Sequence, residues 1–142
     1  MSRVVVGVDD SPGARAALVW ALDEAERRDA RVEAIHAYFV PSQWIDSAVI
    51  ELHRWIGVVA EAALQELDRV VSSCPSSPEL SVERRAIEGD PAAVLLEAAR
   101  DADMLVVGTR GRGGFAGLVL GSVSHRCAQH APCPVVVVPS PR

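Results

Sequence analysis

MLVVGTRGRGGFAGLVLGS, residues 104–122, is the stretch on which the fold turns. Its first five residues, Met104–Gly108, form an apolar run with two β-branched valines, as expected of a strand covered on both faces. Six of the chain's ten glycines then fall within fourteen residues, at Gly108, Gly111, Gly113, Gly114, Gly117 and Gly121, and a hydroxyl follows at Ser122. A buried strand, a glycine-rich turn and a helix start bring the backbone close to an anion and aim unpaired N–H groups at it. A glycine-rich loop alone serves equally well as a flexible connector. Ser122 favours the anion site, because a hydroxyl there either caps the helix or meets a phosphate that takes the cap's place.

Four more short β-branched runs flank this one: Val4–Val8, Val32–Tyr38, Ser81–Ile87 and Val135–Val138. The first and last are nearly all apolar, whereas Ser81–Ile87 alternates and belongs nearer an edge. Helical segments separate them. Ser11-Pro12 and Asp90-Pro91 each pair an N-cap with a proline at the first helical position, predicting helices to about Arg28 and over Ala92–Arg100. Trp44–Val71 carries Ile45, Val49, Leu52, Ile56, Val59, Ala63 and Leu67 at helical spacing, and a last helix starts at Gly121-Ser122 and ends before Pro132. Pro75 and Pro78 mark a surface loop. Such alternation predicts one domain, residues 1–142, built on a five-stranded parallel sheet of order 3-2-1-4-5 with helices on both faces. In that order the end of strand one, with Asp9-Asp10, lies beside the glycine-rich turn, where an open sheet of this kind binds its ligand.

Composition removes several classes of function. The net charge of -5 argues against a dedicated nucleic-acid binder. All 14 basic residues are arginine, so a P-loop lysine, a Schiff-base lysine and a lysine general base are excluded. Cys74, Cys127 and Cys133 lack a CxxC spacing and are expected to be inert buried thiols, with no zinc site or disulfide framework. No apolar run approaches the length that spans a membrane, and the chain begins a strand almost at once, without a signal peptide. A soluble cytoplasmic protein is the expectation.

Other residues suggest no catalytic constellation. His125 and His130 are five apart with no glutamate between them in the HExxH manner. His36 is expected on a sheet face, and Trp20, Trp44 and Trp55 as packing residues. Ser124 has no histidine or acid spaced to make it a nucleophile. Neither the dinucleotide fingerprint after strand one nor the P-loop pattern is present.

The spacing Gly108, Gly111, Gly121, Ser122 completes G-x2-G-x9-G-[ST]. It resembles the ATP-binding branch of the universal stress protein family, and the likeness runs along essentially the whole chain. VVVGVDDSPGARAAL matches that family's first strand and helix, GDPAAVLLEAARDADMLVVGTRGRGG its third helix and fourth strand, and HAPCPVVVVP its closing strand. The resemblance implies a Rossmann-like sheet of the adenine nucleotide α-hydrolase type. It implies that Gly7, Val8 and Asp9 contact adenine and ribose, with Asp9 accepting from a ribose hydroxyl or helping to hold Mg²⁺. It places Ala37 against adenine and Gly108, Thr109, Arg110 and Gly111 around ribose and phosphates. Gly121, Ser122 and Val123 would present N–H groups and a hydroxyl to the phosphates. Arg110 and Arg112 offer forks suited to phosphate oxygens, with a solvated loop arginine as the alternative, and Gly114 shapes the turn.

The function implied is a nucleotide-dependent stress-response module that binds ATP, with no catalytic residues and at most slow hydrolysis. A homodimer joined through the apolar final strand is a further implication. Two alternatives compete. A receiver-type phosphorylation switch also has an acidic pair after strand one, but needs a lysine this chain lacks. An adenylating or nucleotide-hydrolysing enzyme would carry SGGxDS or HIGH, and neither is present.

Overall fold

A computed structural model describes residues 2–9, 11–40, 49–109 and 120–140. The elements run β1 (Arg3–Gly7), α1 (Pro12–Arg28), β2 (Arg31–Tyr38), α2 (Val49–Ser72), β3 (Val82–Glu88), α3 (Pro91–Ala98), β4 (Met104–Gly108), α4 (Ser122–His130) and β5 (Val135–Val138). The strands form one parallel sheet of order β3-β2-β1-β4-β5, the order expected from the alternation. Both proline-marked helix starts are side-chain capped: Ser11 Oγ accepts from the Ala14 N–H and Asp90 Oδ2 from the Ala93 N–H. The α1 helix ends where Asp29 turns into the left-handed region (φ 52°).

Successive residues of a strand face opposite sides of a sheet, so each central strand feeds two cores. Val4, Val6, Val32, Ala34, Met104 and Val106 pack with Leu18, Ala21, Leu67 and Val70 of α1 and α2. Val5, Ile35, Leu105 and Val107 pack with Leu95, Ala99 and Cys127 of α3 and α4. β3 lies at the sheet edge, as expected, and exposes three successive residues, Glu83, Arg84 and Arg85, on both of its faces.

Several expectations shift. The α3 helix stops at Ala98, because Ala99 caps it and Asp101 adopts φ 61° on the way into β4. Trp55, expected as a packing residue, is 51% exposed on α2. Its neighbour Ile56 begins the stripe that runs through Ala63 and Leu67 to the core, and one residue along a helix turns about 100° away from that stripe. Trp20 does pack against the α1–α2 core. Trp44 and Ile45 lie outside the described residues.

One strand carries a charge into this interior. Glu33 of β2 is 4% exposed; it accepts from Arg3 Nη1 of β1 at 2.7 Å and from Arg85 Nη1 of β3 at 2.5 Å. Arg3 also donates to the carbonyls of Ala98 and Arg100, so one guanidinium ties β1, β2 and the end of α3 together.

Gly108 has a packing reason of its own. A Cβ there would stand 2.8 Å from the Gly13 carbonyl oxygen and 2.9 Å from its carbon, both rigid backbone at the start of α1. Gly108→Ala is therefore expected to cost about 1–3 kcal/mol, a fall of roughly 3–10 °C in Tm. Gly57, on an exposed part of α2, has nothing within 4 Å of the same added atom. Gly57→Ala is expected to gain about 0.5–1 kcal/mol through helix propensity. Thermal melts of the two variants check the pair, and equal shifts would contradict the close approach.

Candidate nucleotide site

The crevice forms where strand order reverses. β1 and β4 are hydrogen-bonded neighbours whose connections leave in opposite directions along the sheet, so their carboxyl ends open beside each other. Gly7, Val8 and Asp9 stand at one lip, Gly108 and Thr109 at the other.

Each lip is held by specific bonds. The Val8 N–H donates to the Ile35 carbonyl at 2.8 Å, and the Ser11 N–H donates to Asp9 Oδ1 at 2.8 Å. The Asp9 carboxylate thus closes the turn into α1. Thr109 donates its N–H to the Val138 carbonyl at 3.0 Å. Its own carbonyl accepts from the Gly121 N–H at 2.5 Å and from the Ser124 hydroxyl at 2.8 Å. These two bonds fix the start of α4 against the end of β4. They give buried Ser124 a structural role, in keeping with the absence of a nucleophile motif.

The start of α4 differs from those of α1 and α3. Its N-cap, Gly121, lies at φ -79° and ψ 174° with no side chain to accept from the first turn. Ser122 is exposed and Val123 half-buried against the α3–α4 core. The helix is nine residues long and has no acidic residue in its first turn. A helix start lacking both a side-chain cap and an acidic neighbour keeps its partial positive charge available to an anion.

The described site thus brings together Gly7, Val8, Asp9, Gly108, Thr109, Gly121, Ser122 and Val123. Ala37 lies one strand over, on β2, paired with Ile87. Arg110, Gly111, Arg112 and Gly114 lie outside the described residues, as does Asp10. Asp90, the aspartate that follows β3 and that a receiver switch would have to use, caps α3 and pairs with Arg126 Nη1 at 2.8 Å. The Ala93 N–H bond, with the Arg126 contact, holds its carboxyl below the ordinary value against the opposing effect of burial.

Two residues here make bonds that no sequence motif marks. Gly89, at φ 143° between β3 and α3, donates its N–H to the Tyr38 carbonyl at 2.9 Å. His36 turns its ring onto the Val8 carbonyl, with Nδ1 at 2.9 Å. Cys74 and Cys127 are buried and Cys133 is half-buried; burial pushes the Cys127 thiol up to about 11, which keeps it neutral. No cluster of three or more acidic, histidine or cysteine side chains able to hold a metal occurs among the described residues, and no described helix is long and apolar enough to cross a membrane.

Comparison with known proteins identifies the family and the fold. The model of the universal stress protein family matches residues 1–139. A universal stress protein of Mycolicibacterium smegmatis is 39% identical over 137 residues, covering 95% of this chain and 45% of its own length. The chain therefore spans less than half the length of that relative. Among solved structures, a universal stress protein in complex with cAMP is 29% identical, with a TM-score of 0.69 and coverage of 99% and 98% of the two chains. Hypothetical protein MJ0577 shares the fold with a TM-score of 0.80 at 18% identity, covering 99% of this chain and 97% of its own.

Proposed function

We propose, since this chain belongs to the universal stress protein family, that it binds an adenine nucleotide between the ends of β1 and β4 and acts as a nucleotide-dependent regulatory module in the stress response. The observation that carries this reading is the start of α4, without a side-chain cap, held against the end of β4. Ser122 and Val123 there supply N–H groups to phosphate oxygens, each worth about 1.5–3 kcal/mol when the acceptor is charged. Gly7, Val8, Asp9 and Ala37 take the adenosine end. Gly108, Thr109, Gly111 and Gly114, with Arg110 and Arg112, enclose the ribose and phosphates. The related structure in complex with cAMP supports the nucleotide class.

ATP is the ligand we assign, on the completed glycine spacing that follows β4. A Mg²⁺ ion arriving with it would be held mainly by the phosphates, with Asp9 the nearby acid among the described site residues. Bound there, the ion would neutralise phosphate charge. Hydrolysis should be slow, because the sequence offers no lysine to stabilise a transferring phosphoryl group and no motif that marks a general base. The unit of function is the whole span 1–142 as one domain, acting in the cytoplasm. We assign a homodimer joined through β5: this edge strand of four half-buried valines leaves an open row of backbone groups for a second copy to pair. Sedimentation is expected to give a dimer at micromolar concentration, and a monomer there would contradict the assignment.

Mass spectrometry of the purified chain tests the ligand. An adenine nucleotide is expected to co-purify, and incubation with saturating ATP is expected to give turnover well below about 1 s⁻¹. Turnover at ordinary enzyme rates would overturn the regulatory reading.

A further inference from the structure

Val8 is the first residue beyond β1, and both of its backbone groups are held by β2. Its N–H donates to the Ile35 carbonyl at 2.8 Å, while His36 Nδ1 lies 2.9 Å from its carbonyl oxygen. A carbonyl can only accept, so Nδ1 carries the hydrogen. The Val8 side chain is 4% exposed, which anchors the peptide from a third direction. The next residue is Asp9, whose Oδ1 accepts from Ser11, and the Ser11 hydroxyl in turn caps α1. A continuous line of contacts thus runs from the His36 ring through the Val8–Asp9 peptide to the start of the first helix.

We propose that His36 is a positioning residue of the nucleotide site: by holding the Val8 carbonyl it fixes the Val8–Asp9 peptide and so sets affinity for the adenosine end of the ligand. The proposal rests on the nucleotide reading given above. His36 does not contact the ligand in this account. A ring needed only for packing on a strand face would be replaced adequately by phenylalanine. A ring needed for its donor would not, because phenylalanine keeps the volume and loses the N–H. Asparagine separates the two roles, since its amide nitrogen lies about as far from Cα as histidine Nδ1 and also donates.

The test titrates the full chain, His36→Phe and His36→Asn with ATP and with AMP, alongside thermal melts. His36→Phe is expected to weaken both ligands by the same factor, about 10-fold, because the adenosine end is common to them, and His36→Asn to stay within about threefold of the native chain. Native affinity in His36→Phe overturns the proposal, as does an equal loss in His36→Asn. If the native chain binds neither ligand, the nucleotide reading falls and this inference with it. Nitrogen NMR of the His36 ring in the native chain adds a test that needs no variant to fold. A hydrogen on Nδ1 is expected, and a neutral ring carrying its hydrogen on Nε2 overturns the proposal.

Discussion

Gly121→Asp is expected to abolish measurable nucleotide binding, a loss of at least about 100-fold for ATP, with the fold intact. The backbone at this position, φ -79° and ψ 174°, is extended and open to any residue, so the substitution demands no left-handed conformation. Aspartate is also a preferred N-cap, and its carboxylate would accept from the N–H groups of the first turn of α4. Those are the groups that the phosphates need. Helix and ligand thus compete for the same donors, and the variant supplies the helix with an internal anion. Two lost charge-assisted bonds at about 1.5–3 kcal/mol each already exceed the loss quoted. Calorimetric titration with ATP measures the binding, and far-ultraviolet circular dichroism confirms the helices. Retained affinity in a folded variant would move the phosphate site away from Gly121.

The second large effect concerns stability. Glu33→Gln is expected to lower stability by about 2–4 kcal/mol, or roughly 7–13 °C in Tm, because it leaves the Arg3 guanidinium without its buried carboxylate. The figure sits below that for a fully buried pair because Arg85 is 46% exposed and partly screened. Burial alone would raise the Glu33 carboxyl, but the hydrogen bonds and charges of Arg3 and Arg85 outweigh it and bring the group below its ordinary 4.5. A carboxyl lowered on folding stabilises the native state fully above its unfolded pKa and loses that contribution as pH falls toward its folded value. The native chain should therefore lose stability between about pH 5 and the acid limit, and Glu33→Gln should show a shallower slope there. Chemical denaturation across that range checks both. Parallel slopes would mean that the pair contributes little.

Much of the fold was legible because its signals are local. Ser11-Pro12 and Asp90-Pro91 mark helix starts by chemistry contained in three or four residues, and both caps form. The apolar runs at Met104–Gly108 and Val135–Val138 identify a central strand and its neighbour to the residue. The conjunction of β1 and β4 followed from strand order. What the sequence could not display depends on contacts between distant positions. Gly108 opens the glycine spacing in the sequence, yet it also meets the backbone of Gly13, 95 positions away in the chain. The His36 ring was placed on a sheet face, but its partner is a carbonyl, and carbonyls are identical in every residue. Glu33 falls within a β-branched run and carries no motif; only the register with Val5 and Arg85's strand brings two guanidinium groups onto it. Trp55 fits a helical position by count and still faces outward, because it is one residue off the stripe that reaches the core.

The central claim is that the crevice between β1 and β4 and the start of α4 form one adenine-nucleotide site. Backbone amide NMR of the native chain titrated with ATP tests it most directly. Saturable shifts are expected at Val8, Asp9, Thr109, Ser122 and Val123, with Arg31 and Asp103, at the opposite ends of the strands, left in place. Amides of Ser122 and Val123 that stay unmoved at saturating ATP would contradict it.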